Sequence, residues 1–198
     1  MRTAIGFKAH SGWASLVVIG IANGSPRILE RRRVELVDSA DGSWAKQPYH
    51  AAEGLDPRKA RSTVQRVVDT ARQFAVAEMR AALERAAAAG HRIVGCAVLV
   101  GEPMPNWTLE EIVAVHVRMH RAEGALFRDA LLHAAEECGI VTIPIVEKRL
   151  AEHSRDVLGP TTVEVIASIA SAGRALGPPW GKDQKDAALA AWIALHTT

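Results

Sequence analysis

Residues 93–100 read IVGCAVLV, with no charged side chain in the run. A strand with one wet face alternates apolar and polar residues. An unbroken apolar run of this length belongs to a strand covered on both faces. A chain that contains one must supply helices for two sides of a sheet. Ile140 to Val146 is a second short run of the same kind. The most apolar stretch, Trp13 to Ala22, is too short to cross a bilayer, which takes about 20 residues.

Around these runs the elements follow in order. Residues 3–9 (TAIGFKA) and 13–21 (WASLVVIGI) read as strands joined by a tight turn at His10-Ser11-Gly12, and Asn23-Gly24-Ser25-Pro26 is a hairpin signal before a third strand at 27–37. The triplet Arg31-Arg32-Arg33 reads as a solvated face or a protected sheet edge, with contact to nucleic acid as the alternative. Residues 38–56 form a long connection. Its rings, Trp44, Tyr49 and His50, either stack on a base or sugar or cover one side of the core.

Asp56-Pro57 caps a long helix, with apolar residues at threes and fours from Val64 to Ala86 and a stop at Gly90. Thr108 with Glu111 is a capping box that opens a helix running to Gly139. Two more helices are predicted at about 160–173 and 182–196, with Trp180 and Trp192 as core anchors for the last. The expectation is one domain over residues 1–198, with the element order β-β-β-α-β-α-β-α-α. Three antiparallel strands feeding a parallel series is the arrangement of the RNase H-like fold: a mixed five-stranded sheet with helices on both faces.

Charge does little to select a partner. Lys and Arg number 24 against 22 Asp and Glu, so there is no plainly basic domain of the kind that usually binds nucleic acid, although a local patch fits within a neutral total. Cys96 and Cys138 make no disulfide framework and read as reduced thiols of a cytoplasmic protein. The first strand begins almost at once, which leaves no room for a signal peptide.

Three places attract chemistry: Glu102 at the end of the 93–100 strand, the turn from Lys8 to Trp13, and Asp183-Gln184-Lys185-Asp186 at the start of the last helix. The aspartates, three apart, share one helical face beside a favourable helix N-terminus, although plain capping explains them equally. On the 108–139 helix, His116, His120 and Glu123 share a face at spacings that can bind zinc. The glutamate that follows the first histidine in metalloproteases is missing, and with no further ligand in view the plain reading is a polar helix face. No phosphate-binding glycine loop and no paired Ser or Cys nucleophile is present.

Taken in order, these segments resemble the RuvC family of Holliday-junction nucleases. DQKDAALAAWIAL is similar to the family's closing motif, and RAEGALFRDALLHAAEECGIVTIPIVEK to its helix-strand unit, with Gly124 early in the helix and Lys148 four residues after Pro144. IGFKAHSGWASLVV is similar to the first hairpin, and Glu102 falls at the family's strand-end glutamate. The resemblance implies a divalent-metal nuclease, Mg or Mn, with Glu102, Asp183 and Asp186 as ligands if active. It implies branched or structured DNA as substrate, a homodimer as the working form, and no membrane.

The departures are at the first strand and in the helix at 160–173, PTTVEVIASIASAG, which lacks the basic and amide residues that precede the family's closing motif. The family's lead aspartate is Lys8 here, and its Pro-Gly is Ala9-His10. Exchanging Asp for Lys swings the local charge by two units. Unit charges ~4 Å apart interact by about 4 kcal/mol at an effective dielectric near 20, enough to disfavour a metal. The leading expectation is therefore a RuvC-like protein without two-metal catalysis that binds nucleic acid or a partner. The alternative is a nuclease with a metal site rebuilt around Glu102, Asp183, Asp186 and His10. Lys148, Tyr49 and His50 are the candidate substrate contacts.

Overall fold

The computed structural model describes residues 1–198. Its centre is a five-stranded sheet in the order β3-β2-β1-β4-β5. The strands are β1 (Arg2–His10), β2 (Trp13–Ala22), β3 (Ser25–Glu35), β4 (Arg92–Val100) and β5 (Thr142–Val146). β1–β2 and β2–β3 pair antiparallel, and β1–β4 and β4–β5 parallel. β4 lies between β1 and β5, inside the sheet, as the 93–100 run demands.

The helices are α1 (Pro48–Ala52), α2 (Pro57–Ala88), α3 (Leu109–Val113), α4 (His116–Glu137), α5 (Leu150–Leu158), α6 (Thr162–Ala175) and α7 (Lys182–Thr197). Side chains alternate across a strand, so each strand serves two cores. Ile5, Phe7, Cys96 and Val98 pack with α2 and α4 on one face. Ala4, Ala97, Leu99 and Ile145 pack with α7 on the other. The residues of α7 from Ala187 to Leu195 are all buried, and seven of the nine are alanine or leucine, so this helix presses directly onto the sheet.

Three expectations need correction. The helix opened by the Thr108 capping box is two helices. Thr108 does cap α3, but the chain breaks at Ala114-Val115 and restarts as α4. α5 was absent from the predicted order, although Leu150, Ser154, Val157 and Leu158 have helical spacing and pack inward. The 38–56 connection holds 3-10 turns at Ser39–Asp41 and Ser43–Lys46 and then α1. Of the two readings of its rings, the structure takes the second: they are half-buried, with Trp44 and Tyr49 against the core and Arg66 over Trp44. β5 begins at Thr142, not Ile140, because Ile140 closes the end of α4 by donating to Ala135.

The arginine triplet resolves into three separate tasks. The Arg31 guanidinium donates to the carbonyls of Leu176, Gly177, Pro178 and Pro179 at 2.6–3.2 Å and so holds the turn before α7. Arg32 pairs with Glu30, and Arg33 lies over the Trp13 ring. These are sheet-edge contacts rather than an open basic face.

Candidate functional site: a lysine inside an acidic cluster

Lys8 is the next-to-last even position of β1, and even positions face α7: Ala4 packs in that core, and a side chain at Gly6 would overlap the α7 backbone. Lys8 therefore points toward the first turns of α7. Its ammonium lies 2.8 Å from Asp186, 3.0 Å from Glu147 and 3.2 Å from Asp183. The residue is only 5% exposed, and the three carboxylates are partly open to water. Lys182, one turn earlier on α7, also pairs with Asp186, and His10 Nε2 lies 3.0 Å from Asp183. Gln184 accepts a hydrogen bond from the Gly181 backbone N–H and squares off the helix start.

Burial by itself lowers the Lys8 pKa by penalising the ammonium. The contacts with Asp186 and Glu147, and the charges on those groups, outweigh it and hold the pKa above the ordinary lysine range. Lys8 is thus a fixed cation. Two ammonium groups against three carboxylates leave the cluster one negative charge, which a protonated His10 would neutralise.

The structure brings together Lys8, His10, Asp183 and Asp186. It does not bring Glu102 into the set. Register pairs Lys8 with Leu99 and Leu99 with Ile145. Glu147 has the parity of Ile143 and Ile145, which face α7. Glu102 has the parity of Cys96, Val98 and Val100, which face α4. The third carboxylate is consequently Glu147, missed in the sequence. Its signal was available: it is the first acid beyond β5 on the Lys8 face.

Glu102 instead lines a wide cleft of about 1110 Å³ with Tyr49, Trp107, Arg121, Arg128 and Lys148. Arg118 and Arg121 lie over the Trp107 ring at 4.8 and 5.4 Å. The guanidinium of Arg128 nests against Gly101 and Gly124, where a side chain on either glycine would come within 3.0 Å of it. Of the expected substrate contacts, Lys148 and Tyr49 line this cleft. His50 does not; its ring is held by Glu123. Glu147 and Lys148 line both this cleft and a smaller hollow beside Asp186, so Glu102 and the lysine cluster border connected ground.

No family model matches the sequence, and no curated protein matches it. Solved structures do. The chain is similar to Thermus thermophilus RuvC in complex with a Holliday junction substrate, with TM-score 0.53 and 14% identity, covering 98% of this chain and 92% of that one. It is also similar to Thermus thermophilus RuvC alone, with TM-score 0.51 and 12% identity over 96% and 91% of the two chains. At such identity the likeness is one of architecture, and it agrees with the strand order and the two-faced sheet: the chain has the RuvC-like RNase H fold.

Proposed function

We propose that this chain is a RuvC-like protein whose acidic cluster holds the Lys8 ammonium in place of divalent metal, and that it acts by binding branched or structured DNA, or a partner protein, without cutting. One observation carries the reading: Lys8 Nζ lies within 3.2 Å of Asp183, Asp186 and Glu147 together. Those are the hard oxygen donors that Mg or Mn prefers. An ammonium fixed among them fills the same electrostatic well, so the donor set suits such a cation only if Lys8 withdraws. Two-metal phosphodiester cleavage needs the ions at that point.

Binding has its own support. Arg121, Lys148 and Trp107 line the cleft, which gives it cationic and aromatic groups on neighbouring elements. The similar Thermus protein was solved on a Holliday junction. A homodimer is the form that fits a two-fold symmetric junction.

The competing reading is a nuclease with a rebuilt metal site, and His10 beside Asp183 is what favours it. The test is calorimetric titration with manganese of the natural chain and of Lys8→Asp, paired with a four-way-junction cleavage assay. The expected result is no cleavage, with manganese affinity gained in Lys8→Asp. Equal manganese affinity in the two proteins overturns the counter-ion role. Cleavage by the natural chain that Asp186→Asn abolishes establishes the nuclease instead.

A further inference from the structure

On the α4 side of the sheet, away from Lys8, three histidines meet. His116 and His120 sit one turn apart near the start of α4, and His50 comes from α1. Their ring centroids are 4.6–5.0 Å apart, and one ring nitrogen from each lies within 4.8 Å of the others. Sequence spacing offered only the α4 pair with Glu123, because His50 is remote in the chain and reaches the pair only through the fold.

Behind the rings stands Glu123, 2% exposed. Its Oε1 lies 2.7 Å from His50 Nδ1 and accepts the His50 backbone N–H at 3.3 Å, and its Oε2 is 3.8 Å from His120 Nδ1. Histidine is its only ionic partner. A carboxylate at Nδ1 selects the tautomer that carries its proton there and leaves the Nε2 lone pair free. His50 Nε2 is buried and has no hydrogen-bond partner. A buried nitrogen without a partner needs a cause, and a buried carboxylate without lysine or arginine needs a cation.

We propose that His50, His116 and His120 bind a divalent transition metal, zinc foremost, with Glu123 as the carboxylate that orients His50. Three imidazoles suit zinc and its first-row neighbours rather than magnesium or calcium, which take oxygen. Metal–nitrogen bonds of about 2.0–2.1 Å in a tetrahedral site bring the nitrogens to roughly 3.3 Å apart. His116 and His120 are exposed, so their rings are free to swing inward over the anchored His50. The fourth position faces solvent and takes water, the open pattern of three-histidine sites rather than the closed pattern of four-ligand structural ones. Bound metal clamps α1, and with it the 38–56 connection, to α4.

The test is zinc titration of chelator-stripped protein in competition with a chromophoric chelator at pH 7.5, with melting curves taken with and without zinc. The expected result is one zinc per chain and a melting temperature raised by zinc. In the double variant His116→Ala, His120→Ala, affinity falls at least about 100-fold and zinc no longer shifts the melt. Glu123→Gln weakens binding about 10–100-fold, the usual effect of losing such an orienting partner. His116 and His120 are exposed, so the metal-free double variant melts like the natural chain, and that comparison guards against misfolding. Zinc affinity in the double variant within about threefold of the natural chain overturns the site, as does no zinc binding by the natural chain below about 100 μM total zinc.

Discussion

Gly6 of β1 lies directly against the backbone of Ala187 in α7. A Cβ on Gly6 would overlap the Ala187 carbonyl oxygen and sit 2.9 Å from the Ala191 nitrogen. This approach lets the first turns of α7 bring Asp183 and Asp186 to Lys8, two residues along the same strand face. Backbone cannot yield as a side-chain tip can, so Gly6→Ala is expected to cost about 3 kcal/mol or more. A urea melt measures it. A loss under about 1 kcal/mol would mean that α7 can lift from the sheet at little cost.

Lys8→Met leaves three carboxylates facing one another. Removing one partner of a buried ionic group costs about 3–5 kcal/mol, and partial water access here points to about 2–3. The pH dependence follows from the raised Lys8 pKa. A group raised on folding contributes fully below its unfolded pKa, about 10.4 for lysine, and its contribution is lost as pH climbs through the higher folded value. The stability gap between natural chain and variant is therefore expected to be flat from pH 6 to 9 and to shrink only in stronger alkali. A gap that closes between pH 6 and 8 would assign it to another group.

Arg31→Ala removes donors to four carbonyls between Leu176 and Pro179. Net hydrogen bonds from a charged donor are worth about 1.5–3 kcal/mol, and the exposed setting places the loss near the lower figure. Limited proteolysis is expected to cut first in the 174–181 segment of the variant. Unchanged cleavage there would show that α6 and α7 hold the turn without the arginine.

Burial pushes the Cys96 thiol up to about 12, with a smaller opposing effect from Thr142. Thiolate is the reactive form, so Cys96 is expected to be inert to a thiol reagent at pH 8 in the folded chain. Cys138, half-buried at the end of α4, is expected to react. Titration should count one fast thiol before denaturation and two after. Two fast thiols in the folded protein would reveal frequent opening around β4.

Binding to DNA is expected to be weak and to depend only shallowly on salt. Arg121 is engaged by the Pro103 carbonyl and the Trp107 ring, which leaves Arg128 and Lys148 as the freer cations of the cleft. Two to three phosphate contacts give a slope of log affinity against log salt of about −2 to −3. Titrations against single-stranded, duplex and four-way-junction DNA measure it. Tight, junction-selective binding at about 200 mM salt would require a wider basic surface than this cleft.

Periodicity and capping made most of the fold legible. The two apolar runs became β4 and β5, and Asp56 accepts from the Arg58 and Lys59 N–H groups at the start of α2; Lys8, Asp183 and Asp186 lie together, a grouping that only the family resemblance suggested. What was hidden depended on contacts between distant segments. Glu147 joins the cluster and Glu102 does not, because the parity of each strand decides which face a side chain takes. α5 escaped because its helical stripe is only nine residues long and contains a serine at a buried position. Arg31 looked like part of a charge run until the turn that it holds was in place.

β5 is the outermost strand on its side, five residues long, and Pro144 is its middle residue. The Val141 carbonyl accepts from Cys96 on β4, so by alternation the backbone of Ile143 and Ile145 also turns inward and that of Pro144 turns out. Proline has no N–H to offer. A further strand arriving at this margin would find the central donor missing from an already short row, and the sheet resists lengthening there. Ladder extension between copies of this chain is thereby disfavoured at the β5 margin.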